Sequence, residues 1–319
     1  MIEFITWLKA LAACLITNSH LDKIYPLESL ATGGLLGNLL FFAVSGFCLY
    51  HIKQPFHKWY LKRLLRIYPA VWIATGICVA VGTYEVYSWH HVLRLFLYPT
   101  YYHFIAAILI LYIPFYAVAW LAKHSQQPRK VLAMTGIATI IGYAIVYIFY
   151  YDTSYYHIDT VEEPMIAFLY FLSMLLGAGF RNCGQKAGKT IYAMPSVLLS
   201  VALYAFTKIS VGNGTISSAY QLVNQVSIFV LLFSLMYAGQ CYNQCLYKIP
   251  LFIRKPISFI AGITLEIYLV QYLILRSPIA EYSHYSVNLI SVLLCIIAVA
   301  WLLHVTVAFL SKGTLPTSK

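Results

Sequence analysis

Charged residues are scarce in this sequence. Only 10% of its 319 residues are Asp, Glu, Lys or Arg, whereas 61% are hydrophobic. A soluble domain carries about 25% charged residues, and no long polar block interrupts the apolar segments here. This scarcity excludes a soluble globular protein and predicts a polytopic membrane protein.

Metal-ligand spacing and a cleavable signal peptide are also missing. Cys241 and Cys245 stand four apart without a second Cys or His pair nearby, so we interpret all seven cysteines as apolar residues or free thiols and expect no metal. Lys9 lies inside the first apolar segment, and no small-residue cleavage site precedes Asn18, so no signal peptide is expected. We assign the net charge of +11 to cytoplasmic loops, with no nucleic-acid partner.

Apolar runs long enough to cross a bilayer recur along the whole chain. They lie at 4–20, 30–52, 64–83, 103–122, 131–151, 164–181, 190–208, 222–240, 257–275 and 287–310. The pattern predicts an all-α integral membrane protein, a bundle of about ten transmembrane helices, with a single domain over residues 1–319.

Basic residues set the predicted orientation of these spans. The connection after the second span holds Lys53, Lys58, Lys62, Arg63 and Arg66. Most other basic residues fall on the same side, which the positive-inside rule makes cytoplasmic, and an even number of spans places both termini there. Eight of the ten acids fall outside, as do the Tyr150-Tyr151 and Tyr155-Tyr156 pairs, which we interpret as an aromatic belt in preference to sugar-stacking platforms.

The first apolar segment carries Lys9 near its start and His20 at its end. His20 comes eleven positions after Lys9, roughly three helical turns, so the spacing predicts that both side chains share one helix face. Such groups are costly in a membrane helix unless they line a polar interior, and histidine suits proton transfer near neutral pH. The alternatives are a Lys9 side chain that snorkels to the inner interface and an ordinary interfacial histidine.

Two further polar features follow in the next two spans. The Ser45-Gly46 pair lets helix backbones approach closely and supplies a hydroxyl, although alone it indicates only helix packing. Arg63 and Arg66 are three apart and share a helix face. They indicate either a positive-inside anchor or an anion site, because guanidinium groups suit phosphate oxygens.

In this order, the motifs resemble the acyltransferase 3 family of integral-membrane acyltransferases. The family pattern is a basic residue, ten residues and a histidine, then a Ser-Gly-Phe segment, then a basic-Arg-x-x-Arg-x-x-Pro stretch. The matching residues are Lys9, His20, Ser45, Gly46, Phe47, Arg63, Arg66 and Pro69. Lysine replaces the family's usual arginine at position 9. Weaker matches lie at 102–104 and 265–271, where Gln271 replaces a histidine and receives no catalytic role.

The resemblance implies an O-acyltransferase that takes an acyl group, most often acetyl, from cytoplasmic acyl-CoA. The acceptor would be a hydroxyl of a cell-surface polysaccharide or of its lipid-linked precursor. Arg63, Arg66 and Ser45 would hold acetyl-CoA, His20 would act as general base or covalent acyl carrier, and Lys9 would stabilise negative charge. We expect a multi-pass protein of the bacterial inner membrane, in contact with membrane lipid, and a stand-alone form without an appended extracytoplasmic domain.

Glu266 is a carboxylate inside the ninth predicted span, where an acidic side chain costs about 2.5–3.5 kcal/mol on insertion scales. It is assigned to the catalytic group, paired with Lys9 or polarising His20, and the alternative is a structural hydrogen bond between spans. Asn18 and Ser19 are assigned to orienting the imidazole or a substrate hydroxyl.

Two other classes of protein compete with the acyltransferase. A glycolipid or polysaccharide transporter or flippase suits the composition equally well, and paired interrupted helices in two related halves would favour it; the sequence does not show them. A structural subunit of a polysaccharide export system would leave Lys9, His20 and Glu266 unexplained.

Overall fold

Helices joined by turns and loops make up the residues that the structure, a computed structural model, describes: 2–98, 102–157, 161–184, 190–281 and 285–312. The helices are α1 (Glu3–Asn18), α2 (Gly34–Leu49), α3 (Phe56–Ala80), α4 (Trp89–Phe96), α5 (His103–His124), α6 (Pro128–Phe149), α7 (Met165–Cys183), α8 (Ala193–Gly212), α9 (Leu222–Tyr247), α10 (Leu251–Gly262), α11 (Thr264–Leu275) and α12 (Tyr285–Lys312). The predicted fold class, an all-α multi-pass membrane protein, is confirmed.

Eight of these stretches are long and apolar enough to cross a membrane, and a ninth arises if the bent pair α10–α11 counts as one span. The predicted first span is the 16-residue helix α1, which at about 1.5 Å per residue is shorter than the hydrocarbon core. The predicted ninth span is broken after Gly262, where the chain bends by 72°.

The predicted cytoplasmic connection after the second span is mostly helix. Helix α3 begins at Phe56, so Lys58, Lys62, Arg63 and Arg66 lie in its first three turns. Three basic residues behind the predicted orientation, Lys186, Lys189 and Lys319, lie outside the described residues, as does the predicted outer acid Asp159. Cytoplasmic termini therefore stay a prediction.

The chain divides into two compact units. Unit one comprises residues 1–16, 33–53 and 111–258, and unit two comprises residues 17–32, 54–110 and 259–319. Unit one thus holds most of α1 together with α2 and α6–α9, and unit two holds α3, α4, α11 and α12. The prediction of a single domain over 1–319 stays a prediction.

Glycine sets the closest helix contact in unit one, between α2 and α7. A Cβ atom on Gly46 would stand 2.0 Å from the backbone oxygen of Met174, and one on Gly177 would stand 1.8 Å from that of Ala43. Only glycine lets two backbones come this close. The packing role predicted for the Ser45-Gly46 pair is therefore present at Gly46.

Polar contacts fix the first turn of α1 within unit one. Glu3 accepts two hydrogen bonds from the Arg254 guanidinium, at 2.9 and 3.0 Å. The Phe4 amide donates to Asn243 Oδ1 over 3.1 Å, which satisfies one of the amides that a helix start leaves without an intrahelical acceptor. These bonds hold the start of α1 against α9 and α10.

Candidate active site

His20 lies in a turn just beyond α1, in unit two. The helix ends at Asn18, and the His20 amide donates to the Thr17 carbonyl over 3.1 Å. The prediction that a helix carries His20 is therefore wrong by two residues, because the chain tightens into a turn where its apolar residues end.

The Asn18 side chain shapes the loop that carries His20. Its amide nitrogen donates to the carbonyls of Leu30 and Thr32, at 2.8 and 2.9 Å, and its oxygen accepts from the Tyr25 hydroxyl at 2.7 Å. Both polar atoms of Asn18 are thus engaged within the segment 17–32. The amide positions the backbone around His20, which differs from the predicted contact with the imidazole or a substrate.

Tyr272 of α11 is the side chain that meets the imidazole of His20. Its hydroxyl lies 3.5 Å from His20 Nδ1, at the outer limit of a hydrogen bond. The two ring centroids are 5.0 Å apart with the planes tilted by 55°. When Nδ1–H donates to the tyrosine oxygen, Nε2 keeps its lone pair and can act as a base.

Partial burial favours the neutral form of the His20 imidazole. Desolvation lowers the pKa of His20 below its usual value, and the nearby Asp22 carboxylate partly opposes this by raising it. Desolvation always disfavours the charged form of a side chain, whereas an opposite charge favours it. His20 is therefore available as a proton acceptor at neutral pH, and Asp22 stabilises the imidazolium once a proton has been taken.

Arg276 brings a positive charge to the same group of side chains. Its guanidinium lies 5.9 Å from the centroid of the Tyr272 ring and donates to the Thr83 carbonyl over 3.3 Å. Tyr272 and Arg276 are four apart, so they share one face at the end of α11. The group of His20, Asp22, Tyr272 and Arg276 can accept a proton and stabilise a negative charge.

Glu266 pairs with a residue that the sequence analysis did not select. Its Oε1 lies 2.7 Å from Nδ1 of His304, on α12. The Glu266 side chain is 9% exposed and that of His304 45%. Of the three roles considered for Glu266, this contact matches the structural hydrogen bond between spans. The catalytic assignment of Glu266 stays a prediction.

The residues predicted to hold acetyl-CoA, together with Lys9, lie on three helices. Arg63 is half-buried, its guanidinium 5.3 Å from the centroid of the buried Trp59 ring, while Arg66 is exposed one turn further along α3. Lys9 on α1 and Ser45 on α2 are half-buried residues of unit one. The structure places Arg63 and Arg66 on one helix as predicted, and their ligand stays a prediction.

Sequence reasoning missed Asp22, Tyr272, Arg276 and His304. The sequence did hold a signal for Arg276, because it is one of few basic residues on the predicted outer side and stands at the end of an apolar run. Its spacing from Tyr272 was a second signal. The contact between Tyr272 and His20 joins residues 252 positions apart, so no local pattern could have disclosed it.

The chain was compared with known proteins. The sequence profile of a family described as an acyltransferase domain, Acyl_transf_3, matches residues 2–308. No curated protein and no solved structure matches the chain.

Proposed function

Because the chain belongs to the acyltransferase 3 family and is a multi-pass membrane acyltransferase, we propose that it is an O-acyltransferase of the bacterial inner membrane. The donor is cytoplasmic acyl-CoA, with acetyl as the acyl group. The acceptor is a hydroxyl of a cell-surface polysaccharide or of its lipid-linked precursor. The observation that carries this proposal is His20, a half-buried imidazole whose pKa is lowered by desolvation and whose Nδ1 lies 3.5 Å from the Tyr272 hydroxyl.

The proposed reaction needs a base at the acceptor hydroxyl. His20 Nε2 takes the hydroxyl proton as the acceptor oxygen forms its bond to the thioester carbonyl carbon. The carbon–sulfur bond breaks, and the proton passes to the departing thiolate. The products are an O-acyl ester and free CoA, and His20 returns to its neutral form.

Neighbouring side chains support each stage of this proton transfer. Tyr272 would fix the imidazole so that Nε2 faces the hydroxyl, and Asp22 would stabilise the imidazolium. Arg276 would stabilise the negative charge that develops on the carbonyl oxygen. In the second form of the proposal, His20 attacks the thioester itself and carries the acyl group to the acceptor.

The proposed donor site is the start of α3. Arg63 and Arg66 present two guanidinium groups one turn apart, a geometry suited to the phosphates of acyl-CoA. The contact with buried Trp59 restrains the Arg63 side chain, which lowers the entropy lost when it binds an anion. Lys9 and Ser45 are proposed to line the path of the acyl group.

A glycolipid transporter is the competing proposal. That class is marked by interrupted helices in corresponding positions of two related halves. The described residues hold one bent pair, α10–α11, which falls short of that pattern. Together with the family membership, this observation favours the acyltransferase.

The proposal is tested on the surface polysaccharide of cells with and without this protein. NMR of the purified polysaccharide should show O-acyl signals in cells with the wild-type protein and none in cells with His20→Ala at the same membrane level. Unchanged acylation in the His20→Ala cells would contradict the role of His20. Unchanged acylation without the gene would contradict the proposed acceptor.

A further inference from the structure

The short helix α4 lies in unit two, in the connection between the third and fourth predicted spans, on the predicted outer side. At its start, Ser88 Oγ accepts from the His91 amide over 3.2 Å. At its end, the Phe96 carbonyl accepts from the Trp72 indole of α3 over 2.8 Å. Both bonds satisfy groups that a helix end leaves without an intrahelical partner, and the second holds α4 against α3.

An exposed row of apolar side chains runs along α4 and one residue beyond it. Trp89, Leu93 and Leu97 follow one another at intervals of four and so share one side of the helix. Their exposed fractions are 72%, 39% and 59%. A helix with such a row and a polar face beside it is typical of the membrane interface, where the apolar side chains enter the acyl-chain region.

Basic side chains occupy the adjoining face of α4. His90 and His91 lie four and three residues before Arg94, so all three share this face; His90 and Arg94 are exposed and His91 is half-buried. The Tyr87 ring stacks on that of His91, with centroids 5.5 Å apart, and its hydroxyl donates to the Glu85 carboxylate. Among the described residues no carboxylate forms an ion pair with Arg94, so this face keeps a positive charge that solvent and ligands can reach.

The loop before α4 reaches the candidate active site. The Thr83 carbonyl accepts from Arg276, and Arg276 lies beside Tyr272, whose hydroxyl faces His20. Helix α4 begins at Trp89, six residues after Thr83, and six residues of chain span at most about 22 Å. The basic face of α4 and the imidazole of His20 are therefore within reach of one oligosaccharide.

We propose that the basic face of α4, formed by Arg94, His90 and His91, binds the phosphate groups of a lipid-linked glycan acceptor. A glycan carried on a lipid is joined to it through phosphate or diphosphate, which lies among the headgroups while the lipid chain enters the bilayer. A guanidinium group suits two phosphate oxygens, and imidazole N–H groups donate further hydrogen bonds. The inference rests on the proposed function, and of its two acceptors it favours the lipid-linked precursor.

Bulk phospholipid carries the same phosphate chemistry, and two observations favour the acceptor. Attraction of basic segments to anionic headgroups is strongest at the cytoplasmic leaflet, whereas α4 lies on the predicted outer side, where basic residues are few. The loop that leads into α4 also contacts Arg276 of the candidate active site. A phosphate bound on α4 therefore places the attached glycan near His20.

Acyl transfer to two matched acceptors tests the site. Purified full-length protein in phosphatidylcholine nanodiscs receives acetyl-CoA with the unacylated repeat unit of the surface polysaccharide, either on a short polyprenyl diphosphate or with a free reducing end. The ratio of kcat/KM for the linked and the free acceptor measures the preference. The wild type should prefer the linked form, and Arg94→Gln should lower this ratio about tenfold through KM, because a hydrogen bond to a charged group is lost.

Two further variants control for charge and position. Arg94→Lys keeps the charge and loses the guanidinium fork, so its ratio should lie between those of the wild type and Arg94→Gln. Lys208→Gln, on α8 in unit one, removes another basic residue of the predicted outer side and should keep the wild-type ratio. Because Arg94 is exposed, Arg94→Gln should melt at the wild-type temperature, which separates lost binding from lost folding.

Three results would overturn the inference. The first is a wild-type ratio in Arg94→Gln, and the second is an equal fall in Lys208→Gln, which would show a general effect of charge. The third is a wild-type ratio that falls to that of Arg94→Gln when phosphatidylglycerol is added, since α4 would then hold bulk headgroups. The proposed function fails separately: a wild type that acylates neither acceptor refutes it, whereas acylation of both with an unchanged ratio in Arg94→Gln refutes this inference alone.

Discussion

At the scale of single residues, the proposed chemistry depends on the environment of His20. A half-buried imidazole with a lowered pKa, beside a tyrosine hydroxyl and near a carboxylate, has the features of a general base. The distance of 3.5 Å between Tyr272 and His20 Nδ1 is long, and catalytic hydrogen bonds often shorten only when the substrate is bound. The role proposed for Tyr272 is therefore that of a positioning residue, which acts through the orientation of His20.

Tyr272→Phe removes the hydroxyl and keeps the ring. We expect kcat to fall about threefold to tenfold, the value of one modest hydrogen bond, with the KM for acyl-CoA unchanged. Steady-state kinetics in membranes measures both quantities, and Tyr268→Phe on the same helix is the control. A Tyr272→Phe enzyme with wild-type kcat would exclude the positioning role.

Asp22→Asn tests the electrostatics of the same site. Asp22 raises the pKa of His20, which burial lowers, so removing its charge lowers that pKa further. Because the base acts in its neutral form, the acidic limb of the kcat/KM profile should move to lower pH. A limb that moves to higher pH, or stays in place, would show that His20 is not the titrating group.

The residues of this site were only partly predictable. His20 stood out because a histidine at the end of an apolar run is unusual, and the motif order supported it. Tyr272 is one of 28 tyrosines, and only its tertiary contact distinguishes it from the others. The partner of Glu266 is likewise set by the packing of α11 on α12, which no local pattern specifies.

At the scale of helices, the approach of α2 to α7 depends on glycine. Gly177→Ala would place a Cβ atom 1.8 Å from the Ala43 oxygen, so the helices must separate, at a cost of about 1–3 kcal/mol or more. Gly179→Ala, on the same helix with no atom near its added Cβ, should have little effect. Thermal melting of the two purified variants compares them, and equal melting temperatures would contradict this packing.

Hydrophobicity predicted the helices well and their interruptions poorly. Long apolar runs such as α5 and α12 lie where the sequence analysis placed them. The break after Gly262 falls inside a run that is apolar enough on average to count as one span, so its mean hydropathy carries no signal for the break. The early start of α3 was missed because its first turns are basic, and charge was taken to mark a loop.

At the scale of the whole molecule, the family membership and the proposed donor site make a kinetic prediction. Arg63→Ala should raise the apparent KM for acyl-CoA about tenfold, because a hydrogen bond to a charged group contributes about 1.5–3 kcal/mol. The KM for the acceptor should not change. Kinetics with varied acyl-CoA measures this.

Two matched variants control for charge and position. Arg63→Lys should show an intermediate KM, since it keeps the charge and loses the guanidinium fork. Arg129→Ala, at the start of α6 on the same predicted side, should behave as the wild type. An Arg63→Ala enzyme with an unchanged apparent KM for acyl-CoA would count against the phosphate-binding role.

Transfer of label from donor to glycan tests the central claim most directly. Purified full-length protein would receive acetyl-CoA labelled with ¹³C at the carbonyl, together with unacylated surface polysaccharide. We expect a ¹³C ester signal on the polysaccharide with the wild-type protein, and none with His20→Ala of the same melting temperature. Equal labelling by both proteins would contradict the assignment of His20 as the residue that carries out acyl transfer.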